Sequence, residues 1–208
     1  RDLRMSRGLG DVYKRQPCDG SGSRGASRVD ISAQLKAACQ YAMKNSITHR
    51  AEIESFIDGK EYGAESLVIN GKICVLGIMQ KWMTKPPYYA ELGHSIPTDL
   101  TTEVEEKATR YVYNAIKALG INHGSVNMDM LITKEGKIHI IDIGARMGGN
   151  MIGPCIIPYG TGIDYMGAMI QNAVADPIDL KSDEYTAVAT KLLAFKEGIV
   201  QYLSLIHI

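Results

Sequence analysis

The sequence predicts an α+β fold, with strands paired as hairpins and amphipathic helices between them. Two hairpin signatures, Glu61 to Ile78 around Asn70-Gly71 and Met128 to Ile143 around Lys134 to Lys137, alternate with helix-period stripes at Ser32 to Asn45, Thr101 to Leu119 and Asp164 to Val174. The 208 residues are 45% hydrophobic and 22% charged, which allows a sizeable core in one or two domains. No apolar run has the length of a membrane span, and the Arg-rich start lacks the apolar centre of a signal peptide.

Charge narrows the function classes. Lys and Arg number 23 and Asp and Glu number 23, so no basic field argues for nucleic acid or an anionic membrane as a partner. Cys18, Cys39, Cys74 and Cys155 are widely scattered, with no CxxC and no nearby histidine cluster. They read as reduced, buried small hydrophobes of a cytoplasmic protein. Both ends look foreign: RDLRMSRGLGDVYKRQ and LSLIHI resemble translated sequencing-adapter read-through, so residues 1–16 and 203–208 are set aside as non-native tails. The natural portion would then be an internal fragment starting near Pro17, with an upstream lobe missing.

Taken in order, the first natural feature is CDGSGSRGAS, a Gly/Ser-rich tract that by itself reads first as a flexible linker. Placed before packed structure, and with Arg24 inside it, it can also offer N–H donors and a positive charge to phosphates. Asp30 or Ser32 would cap the helix that follows, with Leu35, Ala38, Cys39, Ala42 and Met43 as its apolar stripe. Glu54 to Ile57 reads as a short strand and Asp58-Gly59 as a turn. Glu61 to Ile69 and Lys72 to Ile78 form a hairpin closed by Asn70-Gly71, the strongest short hairpin signal. Glu61, Gly63 and Glu65 share one strand face, where acids are ordinarily solvated. After a linking stretch with Lys81, Glu91 and His94, a helix capped by Thr101 or Thr102 carries the stripe Val104, Ala108, Val112, Ala115, Ile116 and Leu119, and Gly120 stops it.

The second hairpin holds the chemistry. With its turn centred between Glu135 and Gly136, Thr133 faces Ile138 and Asp129 faces Asp142. Like charges directly opposite one another destabilise a sheet, so a cation is expected between them unless both are simply solvated. Hard oxygen ligands suit Mg²⁺, which takes one or two carboxylates plus substrate phosphates. On an extended continuation, Gly144 and Arg146 lie on the face of Asp142, and Gly144, Gly148 and Gly149 let backbone N–H groups approach an anion.

The order Gly-rich loop, helix, ESFIDGKEY, Asn-Gly hairpin, helix, then NMDML…HIIDIGARMGG resembles the ATP-grasp superfamily from Pro17 to Gln201. That resemblance implies two α+β subdomains holding ATP between them, and activation of a carboxylate as an acyl phosphate that an amine then attacks. It implies a lid remnant over residues 17–50, a core subdomain over 51–180 and the start of a C-terminal lobe over 181–202. Gly22, Ser23, Arg24 and Gly25 would lie on the phosphates, Glu54, Phe56 and Ile57 along the adenine, and Glu61 on the ribose, with Lys81 a triphosphate contact or an exposed lysine. Asp129 and Asp142 take the places of the Mg²⁺ carboxylates, with Mn²⁺ as a substitute ion. Arg146, with Arg24 in support and Gly149 beside it, takes the place that holds the reacting carboxylate or phosphoryl group.

The spacing from Glu91-Leu-Gly-His94 to Asp129, Asp142 and Arg146 is similar to bacterial L-amino-acid ligases. There the position of Glu91 can add a metal contact and that of His94 lies beside the amino-acid substrate, although a lone histidine is as readily structural. The chain departs from the family in three places. Aspartates replace the commoner glutamates, Gly144 replaces a frequent asparagine ligand, and Arg15-Gln16 stand where a lysine usually precedes the proline. The expectation is an ATP-dependent carboxylate-amine ligase using small-molecule acids and amines, for which a homodimer is compatible. The alternative is an ATP-binding or regulatory module without turnover.

Overall fold

The computed structural model describes residues 13–19, 25–85, 90–182, 185–193 and 198. Gly22, Ser23 and Arg24 lie outside the described residues, as do residues 1–12 of the first tail and all of 203–208. The chain divides into two compact units, Arg1–Asp58 with Met83–Glu91, and Gly59–Trp82 with Leu92–Ile208.

In the smaller unit, β1 (Tyr13–Pro17) is the central strand of a three-stranded antiparallel sheet, between β2 (Ser27–Val29) and β3 (Ala51–Ser55). Residues 13–16, set aside with the adapter-like tail, therefore lie in a strand, with 13–15 paired on both sides and Gln16 paired with β3. Ala51–Ser55, read from sequence as the start of the core subdomain, pairs with β1 here. The expected helix begins as a 3₁₀ turn at Ser32–Gln34 and continues as α1 (Leu35–Lys44), which packs on β1 and β3. Neither Asp30 nor Ser32 caps it: the cap positions are Ile31 and Gln34, without side-chain hydrogen bonds, and Asp30 pairs with Arg28 at 2.7 Å instead. Cys39 and Ala42 are buried as expected, whereas Met43 faces solvent. Cys18 is exposed rather than buried. Asp19 accepts the Ile47 and Thr48 N–H groups and the Thr48 hydroxyl, tying the end of β1 to the α1–β3 loop.

The larger unit is built on a six-stranded sheet in the order β8-β7-β4-β5-β6-β9. β4 (Lys60–Ile69) and β5 (Lys72–Met83) form the expected Asn-Gly hairpin, with Asn70 and Gly71 at φ of 48° and 81°, the two positive values a type I′ turn requires. β4 is also paired with β7 (Gly124–Ile132), which pairs with β8 (Ile138–Gly144). Lys81, Glu91 and His94 lie on strands: Lys81 belongs to β5, and Glu91 and His94 to β6 (Glu91–Ile96), which lies between β5 and β9 (Val188–Ala189).

Each sheet face has its own cover. Tyr62, Ala64 and Val68 of β4 and Val126, Met128, Met130 and Ile132 of β7 pack on Ala108, Val112 and Ile116 of α2 (Thr102–Ala118). Thr101 caps α2 by accepting the Val104 N–H, and Gly120 follows it at φ 66°; Leu119, expected in the stripe, is exposed because the helix ends before it. On the opposite face Leu67 and Met79 meet Ile152 and Ile156 of a π-helical turn (Ile152–Ile156), Ile157 of α3 (Ile157–Thr161) and Tyr165 of α4 (Tyr165–Val174), which Asp164 caps. Among the described residues no helix is long and apolar enough to cross a membrane.

Candidate nucleotide and metal site

The odd-numbered residues of β4 point away from α2 and set out the site. Glu61 is paired with Leu131, Gly63 with Asp129 and Glu65 with Asn127 on β7, while Gly63 is paired with Met79 on β5. Lys81, two residues beyond Met79, therefore shares this face. Its ammonium lies 2.8 Å from Asp129 Oδ2 and 3.8 Å from Glu61 Oε2, with the side chain only 7% exposed. To do so it reaches from β5 across β4 to β7, two strand spacings of about 4.8 Å each. Gly63 lies under that path: a Cβ there would be 3.9 Å from both Lys81 Cδ and Asp129 Oδ1. Thus Glu61, Lys81 and Asp129 are gathered on one face, and the cation beside Asp129 is the chain's own lysine.

Asp129 is paired with Asp142 as expected, but by a different route. Gly136 at φ 72° closes a three-residue loop in which the Thr133 N–H bonds to Lys137 O, so Ile132, not Thr133, faces Ile138. That register would put Ile141 opposite Asp129. A bulge skips Ile141 and restores Asp142 to the facing position. Because a one-residue slip moves every side chain to the other face, the bulge is what brings the second carboxylate onto the site face instead of the α2 face. Asp129 has one oxygen on Lys81 and a side chain 30% exposed, while Asp142 is exposed. Two facing carboxylates of this kind fit Mg²⁺ held jointly with substrate phosphates; among the described residues no three acidic, His or Cys side chains are gathered to hold an ion by themselves.

Beyond β8 the chain turns back on itself. Gly144 is paired with Asn127, and Arg146 is exposed, its N–H on Gly144 O at 2.8 Å and its Nη1 on Met147 O at 3.0 Å. A Cβ on Gly144 would lie 3.5 to 3.8 Å from Arg146 Cγ, Nε and Cζ. The arginine therefore lies over Gly144, on the face it shares with Asp142, at ordinary contact distance. Gly149 is exposed, with open space where a Cβ would be.

Glu65 is not a solvated acid. It is fully buried and accepts hydrogen bonds from Tyr165 O–H at 2.7 Å and from the Gly148 N–H and Asn127 Nδ2 at 3.0 Å each. Burial raises its pKa above the ordinary carboxyl range, opposed by those three donors and by the charge of Arg146. Burial likewise raises that of Tyr165, with Glu65 beside it adding to the rise.

His94 is 2% exposed and its strand is held to Thr190 through N–H to Oγ1 and O to N–H contacts of 3.2 and 2.8 Å. In the smaller unit Glu54 is exposed on β3, Phe56 and Ile57 follow the strand rather than lie in it, Gly25 is buried at φ 80°, and Glu91 opens β6 half-buried. Arg28, which the sequence reading passed over, lies 4.4 Å from the centre of the Phe56 ring, a cation–π distance. Asn127 and Tyr165 were also passed over, while Glu65 was placed on the face of Glu61 but read as an ordinarily solvated acid.

A family model described as "ATP-grasp domain" matches residues 15–154. This chain belongs to the ATP-grasp family. It is 28% identical over 201 residues to the uncharacterized protein y4rH of Sinorhizobium fredii, covering 94% of the chain and 40% of that protein. Among solved structures it is similar to the L-amino acid ligase of Bacillus licheniformis, with a TM-score of 0.70, 29% identity, and coverage of 84% of this chain and 43% of that one. It shares its fold with the biotin carboxylase of Campylobacter jejuni, at a TM-score of 0.73 and 19% identity over 82% of this chain and 38% of that one. The ATP-grasp chain thus spans less than half the length of these relatives.

Proposed function

We propose that this chain is the ATP-handling portion of an ATP-dependent carboxylate-amine ligase acting on an amino acid or a related small acid. The observation that carries the reading is the joint placement of Glu61, Lys81, Asp129 and Asp142 on one sheet face. In this reading Asp129 and Asp142 hold Mg²⁺, Lys81 turns its ammonium to the triphosphate, and Glu61 takes the ribose. By the family resemblance alone, Glu54, Phe56 and Ile57 are assigned to the base, Gly22, Ser23, Arg24 and Gly25 to the phosphates, and Glu91 to a further metal contact. When bound, the metal screens the phosphate charge that would repel an incoming carboxylate.

Arg146 and the N–H groups around Gly149 hold the acid and the phosphoryl oxygens, and His94 borders the amino-acid side. A carboxylate oxygen bonds to the γ-phosphorus as the bond to ADP breaks; the amine nitrogen then bonds to the acyl carbon as phosphate leaves. No protein nucleophile takes part, so the enzyme contributes position and charge neutralisation. The test is phosphate release by the longer protein carrying this chain, screened against pooled amino acids and amines. Release that needs both an acid and an amine supports the reading. Tight ATP binding with no release in any pool would favour a regulatory nucleotide module.

A further inference from the structure

A buried carboxylate costs several kcal/mol unless its oxygens are satisfied, and an apolar residue of Glu65's size would fill the space at lower cost. Its three donors come from three places: Asn127 on β7, Gly148 in the loop after β8, and Tyr165 on α4. A Cβ at Gly148 would sit 2.9 Å from Glu65 Oε2, Asn127 Nδ2 and Ile152 Cδ1, so a side chain there would push these packed groups aside. The loop that bears Arg146 is thereby anchored at both ends by one hydrogen-bonded group. At one end Gly144 is paired with Asn127 in the sheet; at the other Gly148 donates to Glu65, which Asn127 also contacts.

We propose that Glu65 is a positioning residue for Arg146: by fixing Gly148 against the Asn127–Gly144 pair, it sets the short span on which the guanidinium lies over Gly144 toward the site face. The inference rests on the ligase reading only for what Arg146 does there. Tyr165 and Gly148 both donate to Oε1, so Glu65→Gln keeps their acceptor and needs only the Asn127 amide to turn its oxygen toward the new NH2, whereas Glu65→Met keeps no acceptor.

Hydrogen exchange decides the anchoring without reference to activity. Glu65→Met should speed exchange across 144–149 by about tenfold or more while the β4–β7 ladder stays protected, and Glu65→Gln should restore the slow rate. Turnover decides the positioning. Glu65→Met should lower it roughly tenfold to a hundredfold with KM for ATP unchanged, but by less than about twofold when Arg146→Lys is already present, because the two changes remove one function. If Glu65→Met does not fold, Gly148→Ala displaces the loop from the other side and carries the same expectations. Unchanged exchange at 144–149, or rate losses that simply multiply, would leave Glu65 as core packing and overturn the proposal. A wild-type protein inactive with every acid and amine would defeat the ligase reading alone, since exchange still reports on Glu65.

Discussion

Asp129 and Asp142 face one another but are neutralised unequally: Lys81 is on the first, and the second is exposed. Asp142→Asn should therefore abolish the magnesium dependence of ATP binding together with turnover, as read by ATP titration with and without Mg²⁺. Without metal it should stabilise the fold slightly, by about 0.2–1 kcal/mol, since one of two facing like charges is gone; a clear loss of thermal stability would show that the pair is not in repulsion. Arg146→Lys keeps charge but loses the planar fork, so turnover should fall roughly a hundredfold with ATP affinity little changed. Wild-type rates in this variant would place Arg146 outside the reacting centre. Glu65 supplies a pH prediction. Its folded pKa is raised by burial, so its contribution to stability is present at low pH and lost as pH rises through that raised value. Compared across pH, wild type should lose stability relative to Glu65→Gln toward higher pH, in denaturant melts. A wild type that instead gains stability relative to Glu65→Gln as pH rises would mean the three donors outweigh burial.

At the scale of elements, strand pairing rather than helix propensity sets the site. Gly93 on β6 shows how little space that pairing leaves: a Cβ there would meet Thr190 O at 1.9 Å. Gly93→Ala should therefore separate β6 from the segment around β9, losing exchange protection at the Thr190 and Leu192 amides, which bond to His94 O and Leu92 O. Protection retained at both would show that the backbone can shift to admit the methyl group. The β8 bulge acts by the same logic, since its single unpaired residue decides whether Asp142 lies on the face of Asp129 or on that of α2.

At the scale of the whole molecule, the smaller unit depends on a strand drawn from the segment with adapter-like character. β1 has partners on both sides, so deleting residues 1–17 should leave β2 and β3 unpaired and expose their amides to exchange, while the larger unit keeps its own core. If β3 exchange is unchanged after the deletion, the three-stranded sheet does not depend on those residues. The chain covers 43% of the Bacillus licheniformis ligase, and we expect ligase turnover from the longer protein and not from these 208 residues alone.

Features governed by local rules are legible in the residues themselves. Asn70-Gly71 demands a type I′ turn, Thr101 and Gly120 bracket α2, and its 3.6-residue stripe names Ala108, Val112 and Ile116 as core. The opposed aspartates were legible too, although the assumed turn was off by one and the bulge at Ile141 corrected it. Only the tertiary structure decided the rest, because it depends on which strands become neighbours. β4 lies between β5 and β7, so Lys81 reaches Asp129 over a glycine, and Glu65, 83 residues from Gly148, becomes a buried anchor instead of a solvated acid. Period-two alternation assigns a residue to a face; whether that face is open, as at Asp142, or sealed beneath α4, as at Glu65, follows from long-range packing that no local window contains.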